Sequence, residues 1–295
     1  MLTNSMDQPA GSPPVFRSSI DLVSVAAVVR DRRGRLVGDL AREDFEIFDA
    51  GIRRHIVEFA PSADGPVSLA ILFDTSGSMQ VTDNLREGLA VVEQLLVQLR
   101  TGADEVAFFA FDSGLRQLSG FTSDAAVVRR LLAELDGFGT TALYDAVGTV
   151  ALEFDDRPHR RRALVLVTDG LDTSSRRSAA DVSGIASASD VPVYVVTVGL
   201  DDVAGSGAIY EPAPATPVAH LGNLAYWTGG ACFSGRGALG ADAAARSVLA
   251  ELRHQYLLAF ESAGPGWRPV DVRLRRNRLT VRTRSAYQSS RPSGD

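Results

Sequence analysis

Leu69-Ala70-Ile71-Leu72-Phe73-Asp74-Thr75-Ser76-Gly77-Ser78-Met79 sets an unbroken apolar run directly before a carboxylate and a group of hydroxyls. A short apolar run without polar alternation suits a strand covered on both faces. Beyond it, Leu85, Leu89, Val92, Leu95, Leu96 and Leu99 recur at helical spacing. The hydroxyl-bearing stretch therefore falls where a strand ends and a helix begins. Open α/β sheets collect ligands at that rim, and helix N-termini add N–H donors there.

The same rhythm continues outward. Glu105 to Phe111, Ala163 to Val167 and Val191 to Val198 are further apolar runs, and amphipathic stretches separate them. Val128, Leu131, Leu132 and Leu135 give Ala125 to Leu135 a helical face, and Ala142 to Phe154, Ala179 to Ala188, Val218 to Trp227 and Ala241 to His254 are further helices. The alternation predicts an α/β fold: a doubly wound, mostly parallel sheet flanked by helices, spanning residues 66–255.

The two ends read differently. Residues 15–62 are strand-like, with β-branched Leu22 to Val29, a turn at Asp31-Arg32-Arg33-Gly34 and alternating Phe45-Glu46-Ile47-Phe48. Residues 256–287 return to strand character in Tyr256 to Phe260, Val270 to Leu274 and Leu279 to Val281. Each end is too small to bury a face alone, so the two are expected to pack together as a small β unit. Residues 1–14 and 288–295 read as tails. The arginines from Arg273 to Arg284 partly alternate with apolar residues, as one solvated strand face would, and Arg160-Arg161-Arg162 reads as a solvated lead-in to a strand.

Composition removes several chemistries. All 30 basic residues are arginine, which excludes a Walker-type phosphate loop, a Schiff-base lysine and a kinase-type nucleotide clamp. The net charge of −6 argues against nucleic acid, whose phosphates need a basic surface. Cys232 stands alone and reads as core filler in a short apolar strand, without disulfide or thiolate cage. His55, His159, His220 and His254 are scattered, with no spacing that makes a metal or nucleophile pair. Met1 to Pro14 lacks the basic start and apolar run of an export signal, and no run reaches membrane-spanning length, so no membrane insertion is expected.

Three pieces converge on one rim if the sheet is parallel: Asp74-Thr75-Ser76-Gly77-Ser78, the loop Gly139-Thr140-Thr141 before a helix, and Thr168-Asp169-Gly170 at a strand end. Asp74 and Asp169 can neutralise a divalent ion, while Ser76, Ser78 and Thr141 offer only neutral oxygens. Such an all-oxygen set suits a hard cation that keeps waters, Mg²⁺ first, with Mn²⁺ or Ca²⁺ as substitutes. The cation would stay electrophilic enough to accept an outside carboxylate.

Asp-x-Ser-x-Ser, a later Thr and the strand-terminal Asp of Thr-Asp-Gly resemble the metal-ion-dependent adhesion site of von Willebrand factor A domains. The chain from about residue 15 to 287 is similar to the bacterial VWFA-related group, through Asp44-Phe45-Glu46-Ile47-Phe48-Asp49-Ala50-Gly51 with its extra alanine, Gly139 to Ala146, and Arg253-His254-Gln255-Tyr256. The resemblance implies Ser76, Ser78 and Thr141 as direct ligands, and Asp74 and Asp169 as ligands directly or through water. The group usually has Gly-Gly-Thr where this chain has Gly139-Thr140-Thr141, which leaves Thr140 and Thr141 both open, with spacing from Ala142 favouring Thr141. It further implies an exported, non-enzymatic module that binds a partner protein presenting Asp or Glu, and a last helix whose position is coupled to occupancy. Two other readings stand beside it: a Mg²⁺-dependent hydrolase or phosphatase with Asp74 as nucleophile, and a metal-independent structural module in which the hydroxyls cap helices. Asp201 to Thr216, with Tyr210-Glu211, reads either as a specificity loop overhanging the site or as a mobile excursion without function.

Overall fold

The computed structural model describes residues 22–81, 83–137, 139–154, 157–170, 172–199 and 217–289, without the side chains of 81 and 217–220. The N-terminal tail, the first residues of the N-terminal β segment, the loop Asp201 to Thr216 and residues 290–295 lie outside the described residues. The strands are β1 Leu22–Asp31, β2 Phe45–Asp49, β3 Ile52–Arg54, β4 Glu58–Ala60, β5 Val67–Asp74, β6 Glu105–Phe111, β7 Leu115–Thr122, β8 Arg161–Thr168, β9 Val193–Thr197, β10 Cys232–Ser234, β11 Tyr256–Glu261, β12 Gly266–Leu274, β13 Leu279–Arg282 and β14 Ala286–Ser289. The helices are α1 Gly77–Val81, α2 Asn84–Gln98, α3 Ala125–Leu131, α4 Leu143–Ala151, α5 Ala179–Ala188, α6 Pro217–Thr228 and α7 Gly237–Arg253.

A six-stranded sheet in the order β10-β9-β8-β5-β6-β7 forms the centre. Its pairings are parallel except for β7, which runs antiparallel to β6. All eight residues of β5 are buried, as expected of a strand covered on both faces. Its side chains alternate between two cores. Val67, Leu69, Ile71 and Phe73 pack with Val91, Val92 and Leu95 of α2 and Val248 and Leu252 of α7. Ala70 and Leu72 face Leu143, Val147 and Val150 of α4, Val182 of α5 and Leu224 of α6. The helices therefore lie on both faces, as the doubly wound pattern predicts. The chain leaves β5 toward β6 on one side and returns to β8 on the other, so the carboxyl end of β5 is the point where the winding reverses.

The antiparallel edge strand β7 is an addition to the four runs read from the sequence. Its residues, Leu-Arg-Gln-Leu-Ser-Gly-Phe-Thr, are only partly buried and its register slips twice against β6. An edge strand needs one half-buried face and carries no continuous apolar signal.

The chain ends form two four-stranded sheets, β13-β1-β11-β4 and β14-β12-β2-β3, around one core of Val25, Ala27, Ile47, Tyr256, Leu258, Phe260, Val272 and Tyr287. β1 pairs with both β11 and β13, which brings the two ends of the sequence together. β14 extends through Ser289, two residues into the stretch read as tail. The C-terminal arginines do not form one solvated face. Arg273, Arg275 and Arg276 are exposed and ion-paired with Asp271, Glu46 and Asp44, but Arg282 is largely covered and Arg284 is buried. Arg282 pairs with Glu251 of α7, and Arg284 donates to the carbonyls of Ser187 and Ser24. Nor is the other arginine run simply solvated: Arg161 and Arg162 reach the carbonyls of Gln255 and Phe154. These arginines join separate elements, which strand alternation does not reveal.

Candidate metal centre

β5 delivers Asp74, fully buried, to the winding-reversal point. The chain then turns tightly, so that the Ser76 N–H donates to Asp74 Oδ1 at 2.8 Å. An Asp side chain accepting from the residue two positions on is a common way to start such a turn. Thr75 is anchored sideways, its N–H and hydroxyl both donating to the Phe111 carbonyl at 2.8 and 3.0 Å. The turn leaves Ser76 Oγ and Ser78 Oγ 3.2 Å apart.

The second loop fits against this turn. A Cβ at Gly137 would lie 2.1 Å from the Thr75 carbonyl, so only glycine permits the approach. The Gly77 N–H donates to the Gly139 carbonyl at 3.2 Å, and the Ala142 N–H to the Asp112 carbonyl at 2.7 Å. Between those ties Thr141 is buried, 3% exposed, whereas Thr140 is exposed.

β8 supplies the third piece. The Thr168 hydroxyl donates to Asp74 Oδ2 at 2.6 Å and accepts the Gly170 N–H at 3.1 Å. Thr168 thus bolts the end of β8 to the end of β5, a role the Thr-Asp-Gly spacing alone did not assign to it. Asp169 follows, 6% exposed, and its Oδ1 is buried without a hydrogen bond from any described residue. Burial pushes the Asp74 carboxyl up to about 6, the Thr168 and Ser76 hydrogen bonds oppose that rise, and the charge of Asp169 adds to it. Among the described residues neither of these two buried acids forms an ion pair with an arginine. An orphaned buried acceptor of this kind calls for a partner such as an ion. The donor set is entirely oxygen, and it fits a hard divalent cation.

The remaining polar groups have other tasks. Asp145 accepts the N–H groups of Arg176 and Arg177 at 3.0 and 3.1 Å, and chiefly the Arg176 contact holds its carboxyl below the ordinary range. Asp112 accepts the Gly114 N–H. Asp172 binds the start of α4, its Oδ1 accepting the Leu143 N–H at 2.9 Å. Cys232 is buried, and burial pushes its thiol up to about 12, as core filler requires. His55 and His254 are exposed and distant in sequence from the rim, and the side chain of His220 lies outside the described residues. Among the described residues no cluster of three or more His, Cys, Asp or Glu side chains can hold a metal, so a cation here depends on hydroxyls plus two carboxylates.

The family model for the von Willebrand factor type A domain matches residues 69–171, the stretch from β5 to just past the end of β8. No curated protein matches the chain. Among solved structures, a von Willebrand factor type A protein from Catenulispora acidiphila is 15% identical, covering 92% of this chain and 76% of that one with a TM-score of 0.52. An aerotolerance-related membrane protein from Bacteroides fragilis is 21% identical, covering 63% of this chain and 98% of that one, TM-score 0.52. Proximal thread matrix protein 1 of the mussel byssus, solved with a zinc-occupied MIDAS motif, is 16% identical over 69% of this chain and 49% of that one, TM-score 0.52. At these identities the likeness is one of fold. Family match and sheet topology agree on a von Willebrand factor type A fold, the match lying within residues 69–171.

Proposed function

We propose that Asp74, Ser76, Ser78, Thr141 and Asp169 hold one divalent cation, Mg²⁺ first, and that this site binds a partner protein through an Asp or Glu side chain. The observation that carries the reading is the buried Oδ1 of Asp169, unpartnered among the described residues, on the same rim as the paired Ser76 and Ser78 hydroxyls. Ser76, Ser78 and Thr141 would bind directly through neutral oxygens. Asp74, whose two oxygens already accept from Ser76 and Thr168, would act mainly by holding those groups in place and by its charge. A bound divalent cation with only two acidic neighbours supplies an electrophilic position for one outside carboxylate. The burial of Thr141 supports it over Thr140 as the threonine ligand. The zinc-occupied site of the byssus protein supports the reading by analogy of fold.

The hydrolase alternative is weaker on the same geometry. A nucleophilic Asp74 needs a free, exposed carboxylate oxygen, whereas Asp74 is fully buried with both oxygens engaged. The residue two positions on is Ser76, not a second acid. Calorimetric titration of the metal-stripped protein with Mg²⁺ and Mn²⁺ tests the proposal. Saturable binding that disappears in folded Asp74→Ala and Ser76→Ala variants is expected, and its absence in the wild type would leave only a capping role for the hydroxyls.

A further inference from the structure

Thr141 and Asp169 come from different loops, and a shared cation requires their relative position to be fixed. The loop that follows Asp169 provides the connection. The Thr173 hydroxyl accepts the Thr141 N–H at 2.8 Å, and the N–H groups of Thr173 and Ser174 donate to the Thr141 carbonyl at 2.9 and 3.0 Å. Both backbone polar groups of Thr141 are thereby satisfied by the loop leaving β8.

The same loop caps α4. Its N-cap residue, Ala142, offers no side-chain acceptor, and alanine is a poor choice at that position. Asp172 Oδ1 accepts the Leu143 N–H at 2.9 Å and the Ser175 hydroxyl at 2.6 Å, while Ser175 Oγ accepts the N–H groups of Tyr144 and Asp145 at 2.9 and 3.2 Å. The first turn of α4 is therefore capped from outside its own sequence. In return, Asp145 accepts the Arg176 and Arg177 N–H groups. Loop and helix start form one hydrogen-bonded body, with Thr141 at its edge and Asp169 at its root.

We infer that Asp172, Thr173 and Ser175 are positioning residues of the proposed metal centre: they lock Thr141 to the strand end carrying Asp169, so that the two meet a cation as one unit. This rests on the metal reading above. Groups that orient metal ligands typically change affinity by about 10- to 100-fold when removed. A loop that merely capped a helix would change folding stability and leave affinity alone.

The experiment compares Mn²⁺ affinity and metal-free thermal stability in Asp172→Ala and Thr173→Val, with Asp172→Asn and Thr173→Ser as conservative partners. Thr228→Val is the control, because Thr228 Oγ1 accepts the Val193 N–H at 3.0 Å from α6, a different element from the rim loops. Asp172→Ala and Thr173→Val are each expected to weaken Mn²⁺ binding about tenfold or more. Asp172→Asn keeps the acceptor without the charge and is expected to restore most of the affinity, as is Thr173→Ser. Thr228→Val is expected to lower stability and leave affinity unchanged. Wild-type Mn²⁺ affinity in Asp172→Ala and Thr173→Val, or equal loss in Thr228→Val, would overturn the positioning role while leaving the metal site intact. No Mn²⁺ binding by the wild type would overturn the metal reading itself.

Discussion

Two buried acids in this molecule have opposite surroundings. Glu251 on α7 is 1% exposed and sits between Arg30 of β1, at 2.6 Å, and Arg282 of β13. Burial works to raise its carboxyl, and the two guanidinium groups outweigh that, holding it below the ordinary range. Asp74 at the sheet rim has only hydroxyl and N–H partners and a second acid nearby, and it is pushed up to about 6. The first acid is neutralised by the fold and joins the α/β domain to the β unit. The second has no arginine partner among the described residues, which is the pattern expected where function sets the requirement.

The largest effect should come from breaking the paired acid. Glu251→Ala strands two mostly buried guanidinium groups, and removing one member of a buried ionic cluster typically costs about 3–5 kcal/mol. Urea unfolding should show this loss, with Mn²⁺ affinity little changed in whatever protein remains folded.

Asp74 should behave in the opposite sense. Its folded value lies above the 3.8 of a free aspartate, so its contribution to stability is full below that pH and is lost as pH rises through about 6. For the metal-free protein this is worth up to roughly 3 kcal/mol between pH 4 and 7. Asp74→Asn should remove that slope and stabilise the metal-free protein at pH 7 by about 1–3 kcal/mol, while abolishing metal binding. Glu251 acts with the reverse sign, giving stability that is present above about 4.5 and lost as pH falls through its lowered value. Parallel urea titrations of wild type and Asp74→Asn across this range would isolate the Asp74 part.

A smaller effect discriminates the two threonines. Thr141→Val should weaken Mn²⁺ binding by about tenfold, or 1.4 kcal/mol, with Thr140→Val close to wild type in the same titration. The smallest effect lies away from both acids. Ala50 and Gly51 form a two-residue hairpin turn between β2 and β3, with φ of 48° and 81°. Asparagine suits the first such position and alanine does not, so Ala50→Asn should add about 0.5–1 kcal/mol of stability and leave metal affinity untouched.

The comparison also explains which features were legible in the sequence. Asp74, Ser76 and Ser78 are close in the chain, and the apolar run before them placed them on a sheet rim. The parallel sheet follows from runs such as Leu69 to Phe73, whose burial on both faces leaves a continuous apolar signal. Neither the Thr168 bolt to Asp74 nor the cap that Asp172 and Ser175 place on α4 has a local signature, because the partners are 94, 29 and 31 residues apart. Arg282 and Arg284 were misread for the same reason: their alternation matches a solvated strand, and only the position of α7 and α5 against it turns them inward. Short-range chemistry reads directly from sequence, whereas pairing across elements needs the topology.

The most direct test of the account is anomalous diffraction from crystals soaked in Mn²⁺. The account predicts one anomalous peak at the carboxyl end of β5, within coordination distance of the Ser76 and Ser78 hydroxyls and Thr141, and none in crystals of Asp74→Ala. An empty rim in well-ordered, Mn²⁺-soaked wild-type crystals, or a peak held by other residues, would contradict it.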